Sequence, residues 1–323
     1  MPAQPALYDV KGKDGQPVPA LVQITKRGQI FMLDRRNGTP IAEVQEKPVP
    51  QGAAEGDFLS PTQPYSVGMP AIGANTLTEA DMWGVTPFDQ LMCRIAFKGL
   101  RYEGEFTPPN TTKSLQYPGF YGGMNWGSAS IDEQRGWLIV NDMRIPQVVQ
   151  LVPRDVTEAR LLGRQAGLAS QEGTPFGADK NMFMSVLGVP CHKPPFGAMT
   201  AIDLNSRQIV WQVPMGTVHD TGPLNIPTGL NMPVGMPTLG GPVSTQGGLV
   251  FYAGTQDYYL RALDSATGEE LWKGRLPVGA QATPMTYVAP DSGRQYVVIS
   301  VGGARGSPDK GDYIIAYALP KKN

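Results

Sequence analysis

The feature that most constrains this chain is a spaced pattern that occurs three times. Ala262, Asp264, Thr267, Gly268 and Trp272 fall at relative positions 0, 2, 5, 6 and 10. Ala201, Asp203, Ser206, Arg207 and Trp211 repeat the spacing with Arg in place of Gly, and Met32, Asp34, Asn37, Gly38 and Ala42 repeat it with the Trp lost. Around the fullest copy, an apolar run over 249–253 leads to a second strand over 258–263. An Asp-Ser-Ala-Thr-Gly turn follows, then a short strand ending in Trp272. Such runs, bounded by Gly and Asp, spell an antiparallel meander. A meander that recurs predicts a radial array of small sheets, an all-β propeller. That reading overrides the two domains that 323 residues would otherwise suggest.

Taken in order, residues 21–25, 29–34 and the turn at 35–38 make most of a first blade. Residues 45–115 and 155–195 interrupt the rhythm as insertions: 45–77 reads as a long ordered excursion, the kind of loop that usually has a function, and the second as polar and irregular after a helical start. Inside the first, Thr78 to Asp81 has the form of a capping box opening a helix, with Met82, Trp83, Phe88, Leu91 and Met92 as its expected buried side. Residues 94–97 and 104–107 read as short strands. Alternation resumes in 124–132 and 137–141, with a further strand at 147–152 and a helical start to the second excursion at 156–163. The strands 197–202 and 208–213 close the second blade, the fullest repeat forms the third, and 281–319 the last. About four blades are therefore expected. An open ring of four leaves strand edges unpaired, so the chain reads as half of a larger ring.

Composition excludes several classes. The net charge of −1, with no extended cluster of Lys and Arg, argues against nucleic acid as a partner. No run approaches the roughly 18 apolar residues that span a bilayer, and the first residues lack the basic start and apolar core of a signal peptide. Cys93 and Cys191 are too few for a disulfide framework and are expected as buried free thiols. His192 and His219 are the only histidines, both in Pro/Gly-rich loops, which disfavours nucleophilic triads and zinc sites.

The repeat resembles the tryptophan-docking motif of the eight-bladed quinoprotein dehydrogenases. The strings KRGQIFMLDRRNG, EKPVPQGAAEGDFLSPTQP, ADMWGVTPFDQLMCR, RYEGEFTPP, VGAQATPMTYV and GDYIIAYALP resemble the membrane-bound pyrroloquinoline quinone (PQQ) dehydrogenases of the glucose/quinate/shikimate family. The resemblance covers essentially all of residues 1–323, but only the C-terminal half of that family. It implies an eight-bladed quinoprotein β-propeller of which about four blades are present. The family's catalytic Asp would align just upstream of Met1, and its membrane anchor further upstream still. No residue of this chain is therefore expected as the catalytic base.

The resemblance also implies a set of cofactor-binding residues. PQQ carries three carboxylates and an o-quinone, so it calls for fixed cations and hydrogen-bond donors. Lys26 stands where the family sets a Lys against the quinone, Asn125 and Trp126 where related alcohol dehydrogenases have an Asn-Trp pair, and Asn141 where there is an Asn near the site. Asp257 matches an acid near the cofactor, and Arg305 replaces a His typical of glucose-oxidising relatives. A divalent ion, Ca²⁺ or Mg²⁺, is implied too, with no ligands assignable. The expected substrate is a sugar or cyclitol hydroxyl, with ubiquinone as electron acceptor at the periplasmic face of the inner membrane. MNWGSASID, VNDMR (in place of an Asn-Pro pair) and Arg305 depart from the glucose-type pattern and lean toward quinate or shikimate. Two alternatives stand beside this reading: a non-catalytic propeller that serves as a binding or assembly module, and an inactive remnant.

Overall fold

A computed structural model describes residues 1–323 except 13, 164–165, 305–306, 308 and 321–323. The first blade is β1 (Ala6–Lys11), β2 (Pro17–Ile24) and β3 (Ile30–Asp34), paired antiparallel in that order. Its fourth position is a remnant, a single bridge from Leu33 to Pro40. A hairpin of β4 (Val44–Pro48) and β5 (Thr62–Ser66) follows, then helix α1 (Pro87–Lys98) and β6 (Ser114–Gln116). The second blade opens with β7 (Ala129–Asp132) and β8 (Trp137–Met143). It is interrupted by β9 (Gln147–Pro153), α2 (Arg154–Leu162), β10 (Leu168–Ala169) and β11 (Phe176–Met182), then completed by β12 (Gly197–Asp203) and β13 (Gln208–Pro214). The third blade is β14 (Val243–Ser244), β15 (Leu249–Tyr252), β16 (Tyr259–Asp264) and β17 (Glu270–Arg275). The fourth is β18 (Met285–Val288), β19 (Gln295–Val301) and β20 (Tyr313–Tyr317). Four blades were expected and four are present.

The repeat explains itself as a turn. In all three copies the Asp carboxylate accepts hydrogen bonds from the backbone two residues on: Asp34 from Arg36, Asp203 from Asn205 and Asp264 from Ala266. The backbone N–H of Gly38, Arg207 and Gly268 then donates to the carbonyl of the same Asp, at 2.7, 2.7 and 2.8 Å. Each of those three residues has positive φ, where a side chain is strained and Gly is not.

Strand alternation sorts the core into seams between blades. Leu138 and Val140 of β8 join Val22, Ile24, Ile30 and Met32 of the first blade, whereas Ile139 joins Val250, Tyr252 and Leu263 of the third. Ala253, Leu260, Val297, Ile299 and Val301 fill the seam between the third and fourth. Because each blade runs up and down, its connections fall into two sets. The repeat turns and the tight hairpins at 12–16, 133–136, 245–248 and 289–294 share one end. The β2–β3 turn, the long segments 43–128, 144–196 and 215–242, and the β15–β16 and β19–β20 connections share the other. That second, loop end is where the chain varies.

Several expectations fail here, each for a tertiary reason. The second excursion is not irregular. β10, β11, β9 and β6 form a four-stranded sheet of their own, fed by both excursions and including the strand predicted at 147–152. Residues 79–81 make only a single 3₁₀ turn, and the helix starts at Pro87. There Thr86 accepts from the Asp89 N–H as its cap, and Pro sits in the first turn. Residues 94–97 belong to that helix, and 104–107 form no strand. Met82 is buried as expected, but Phe88, Leu91 and Met92 are 79%, 47% and 45% exposed. The helix instead turns Asp89 and Cys93 inward.

Cys93 and Cys191 are not free thiols. They form a disulfide across 98 residues of sequence, with Cα atoms 5.3 Å apart. The helix face that hides Cys93 lies against the 183–192 segment, where Met82 bridges His192 and the Trp83 N–H donates to the Cys191 carbonyl. No helix among the described residues is long and apolar enough to cross a membrane.

Candidate functional site

Every candidate residue that the structure describes lies at the loop end. Lys26 tops the β2–β3 turn, and its Nζ donates to the Phe120 carbonyl at 3.0 Å. No carboxylate pairs with it among the described residues. A Cβ on Gly122 would stand 2.5 Å from the Lys26 side chain, so the 117–123 loop can lie over this lysine only with Gly there. Gly123 then bridges two blades. Its N–H donates to the Lys26 carbonyl at 2.8 Å, and its carbonyl accepts from the Met143 N–H at 3.0 Å. The lysine turn and the end of β8 are thereby held one residue apart.

Asn125 is buried and works on its own loop: its amide donates to the Tyr121 carbonyl and its oxygen accepts from the Trp126 N–H at 2.8 Å. Trp126 is 46% exposed, beside a backbone bond from Gly127 to Leu239. Asn141 is buried on β8, on the side that faces the third blade. Its neighbour Asp142 therefore points the other way, toward the first blade and Lys26. Arg305 lies outside the described residues.

Asp257 is fully buried, and its oxygens are taken up inside the protein. One accepts from Thr255 and Arg261, the other from the Thr217 N–H, the Thr217 hydroxyl and Arg261. Burial alone would raise this carboxyl, but the Arg261 guanidinium outweighs it and holds the group below the ordinary range. Arg261, itself 1% exposed, also pairs with Glu270 at 2.7 Å. Asp257 thus ties the 215–242 segment to the third blade. No local pattern announces this tie, because Thr217 is 40 residues away.

Three further groups escaped sequence reasoning. Arg144 pairs with Asp142 through Nε at 2.5 Å and Nη2 at 3.2 Å, with Asp142 fully buried. The alternation D-x-R at a strand end was a readable signal, since residues i and i+2 share a face. His192 is 4% exposed, packs against Tyr117 and Phe196, and has a buried Nδ1 without a partner. Burial, helped by Arg144, pushes it down to about 4, so it is neutral. Gln147 accepts from the Tyr121 N–H and leaves Nε2 buried and unpaired. Both orphans border the 117–123 loop. Among the described residues, no cluster of three His, Cys, Asp or Glu side chains could hold a metal ion.

Comparison with known proteins bears on this arrangement. Residues 1–297 match the family model "PQQ: Glucose/ethanol/alcohol dehydrogenase, beta-propeller domain". The chain is 56% identical over 328 residues to the quinate/shikimate dehydrogenase (quinone) of Acinetobacter baylyi, covering 99% of this chain and 40% of that one. It is 47% identical to the quinoprotein glucose dehydrogenase of Escherichia coli, covering 99% and 41%. It therefore spans about two-fifths of the length of these relatives. The quinohemoprotein alcohol dehydrogenase of Comamonas testosteroni superposes with a TM-score of 0.56 at 23% identity over 99% of this chain and 39% of that one, a likeness of fold. With the blades, the docking turns and the family match over most of its length, the chain belongs to the PQQ-dependent glucose/ethanol/alcohol dehydrogenase β-propeller family.

Proposed function

We propose that this chain is the C-terminal half of the propeller of a PQQ-dependent dehydrogenase that oxidises a ring hydroxyl of quinate or shikimate. Glucose is the second-ranked substrate. The observation that carries the reading is Lys26: a cation at the loop end whose one side-chain hydrogen bond among the described residues is to a backbone carbonyl. A fixed cation with no carboxylate partner among the described residues suits an anionic ligand, and a tricarboxylate quinone is one.

The residues present fit that cofactor. Lys26 would stand against it, with Asn125 setting the loop that carries Trp126, and Asn141 on the neighbouring strand. Arg305 is a further candidate by sequence. When bound, PQQ supplies an o-quinone that accepts two electrons from the substrate carbon. Lys26 then stabilises negative charge that develops on an oxygen beside it, in surroundings that Gly122 and Gly123 keep closely packed. The family resemblance assigns the base that takes the hydroxyl proton to an Asp outside residues 1–323. Electrons leave to ubiquinone at the periplasmic face of the membrane.

The test adds PQQ and Ca²⁺ or Mg²⁺ to this chain, alone and with the upstream half, and follows dye-linked oxidation of quinate, shikimate and glucose. Activity is expected only when both halves are present, with quinate or shikimate preferred. Absence of PQQ binding in the combined sample would overturn the reading and favour a non-catalytic propeller.

A further inference from the structure

Strand β8 ends in Asn141-Asp142-Met143-Arg144, and the alternation of its side chains divides these four between two seams. Asp142 and Arg144 fall on the first-blade side, where Gly123 links the Lys26 carbonyl to the Met143 N–H. The 70–76 segment closes over them. The Ile72 N–H donates to the Gly28 carbonyl in the lysine turn, and a Cβ on Gly73 would sit 2.6 Å from Asp142 Oδ2 and 3.3 Å from Arg144. The Arg144 backbone is pinned as well, its N–H donating to the Phe196 carbonyl at 2.9 Å. This is a guanidinium with little freedom, at the strand end that Gly123 links to the Lys26 turn.

The way it is held leaves one edge unused. Asp142 takes Nε and one hydrogen of Nη2. Among the described residues nothing accepts from Nη1, and the side chain keeps 13% of its surface exposed. Two parallel N–H groups on the Nη1–Nη2 edge therefore remain, the fork that matches a carboxylate. Among the described residues Asp142 is the one carboxylate facing this arginine, and the rings nearby, Tyr117 and His192, are both kept neutral by burial. A strand end that only needed filling would not require an ion pair whose acid is fully buried, since such pairs add little net stability over apolar packing.

We propose that Arg144 binds the carboxylate of an anionic ring-polyol substrate, with Asp142 as the positioning residue that fixes the guanidinium plane. The inference rests on the PQQ-dehydrogenase reading and adds to it the residue that recognises the substrate's carboxylate. A neutral sugar offers the fork nothing to pair with, so a site built around Arg144 discriminates in favour of the acid.

The test uses the holoenzyme containing this chain and two matched substrates, quinate and its methyl ester, which differ by one charge. The ratio of kcat/KM for acid over ester is expected to fall about 10- to 100-fold in Arg144→Met, the range for losing a paired charged hydrogen bond. Arg144→Lys should restore part of it. Asp142→Asn should raise KM for quinate with kcat nearly constant, a split that loss of folding would not produce. A titration with PQQ separates the cofactor from the substrate: weakening of PQQ binding by the same factor makes Arg144 a cofactor clamp and overturns the proposal. So does an acid-to-ester ratio within about twofold of the parent in a folded Arg144→Met protein. Calorimetric titration with quinate alone gives a readout that does not need turnover. If the parent oxidises neither substrate, the dehydrogenase reading fails, and the proposal stands or falls on whether Arg144→Met abolishes that binding.

Discussion

The seam between the second and third blades and the seam between the first and second use the same turn in different ways. At the second–third seam, Trp211 donates from Nε1 to the Ser265 carbonyl at 3.0 Å and lies flat on Gly268, whose absent Cβ would be 2.7 Å from the indole. Ser265 and Arg135 meet on Asp132, so the acid of one blade is bound to the turn of the next. At the first–second seam the indole's place is taken by Ala42, fully buried in an aliphatic core. The turn residue there is Arg207, held at φ 62°. Gly is obligatory where a ring docks. Where none does, the turn tolerates a side chain at some conformational cost.

The largest break in this comparison is Trp211→Ala. It removes a buried indole and its hydrogen bond, and should cost about 3–5 kcal/mol in denaturant unfolding. A loss under about 1 kcal/mol would mean that the indole does not hold the seam. Next comes a matched pair of substitutions. Gly268→Ala meets the indole and adopts positive φ, for roughly 2–5 kcal/mol in all. Gly38→Ala has nothing within 4 Å and the same kind of φ, so it should lose only about 1–2 kcal/mol. Equal losses would remove ring docking as the reason for Gly268. Arg207→Gly is smaller and of opposite sign. It relieves the positive φ but loosens the unfolded chain, leaving a gain of roughly 0.5 kcal/mol or less, visible as a small rise in midpoint.

Protons offer the subtlest contrast. Asp132 and Asp257, on the third-blade side, are pushed up by burial but held below their ordinary range, Asp132 by Ser265 and Arg135, Asp257 by Arg261. Their stabilisation is complete above the unfolded value of about 4 and is lost as pH falls through the lowered folded value. Asp142 and Glu105, on the first-blade side, are raised by burial against the pull of Arg144 and Arg27. The folded state takes up those protons first, so stability there grows as pH drops toward 4. Hydrogen exchange resolved by peptide, between pH 7 and 4.5, should show protection rising around β2 and β8 relative to β15 and β16. Parallel changes in both regions would refute the contrast.

What could be read from the sequence was what is local and repeated. The Asp-to-Gly turn is five residues long and makes its own hydrogen bonds, so its spacing alone located three blades. The place of Lys26 at the tip of a short hairpin was legible for the same reason, whereas its proposed role came only from the family resemblance. The helix start was misplaced because Thr78 and Thr86 both offer a cap, and only packing of Cys93 selects the second. The role of Asp257 depends on Thr217 and Arg261, and the free edge of Arg144 on Gly73 and Gly123. None of those contacts has a period or a short spacing, so nothing in the linear pattern announced them.

The Cys93–Cys191 bond has a consequence for motion. It closes a loop of 98 residues, which on chain-entropy grounds removes about 4.7 kcal/mol of freedom from the unfolded chain. Its two ends belong to different excursions, one to the segment that leaves the first blade and one to the segment that interrupts the second. The stitch makes these two decorations a single plate above the ring. Neither can swing open without carrying the other, so any widening over Lys26 and Arg144 has to be a concerted tilt of that plate rather than the fraying of one loop.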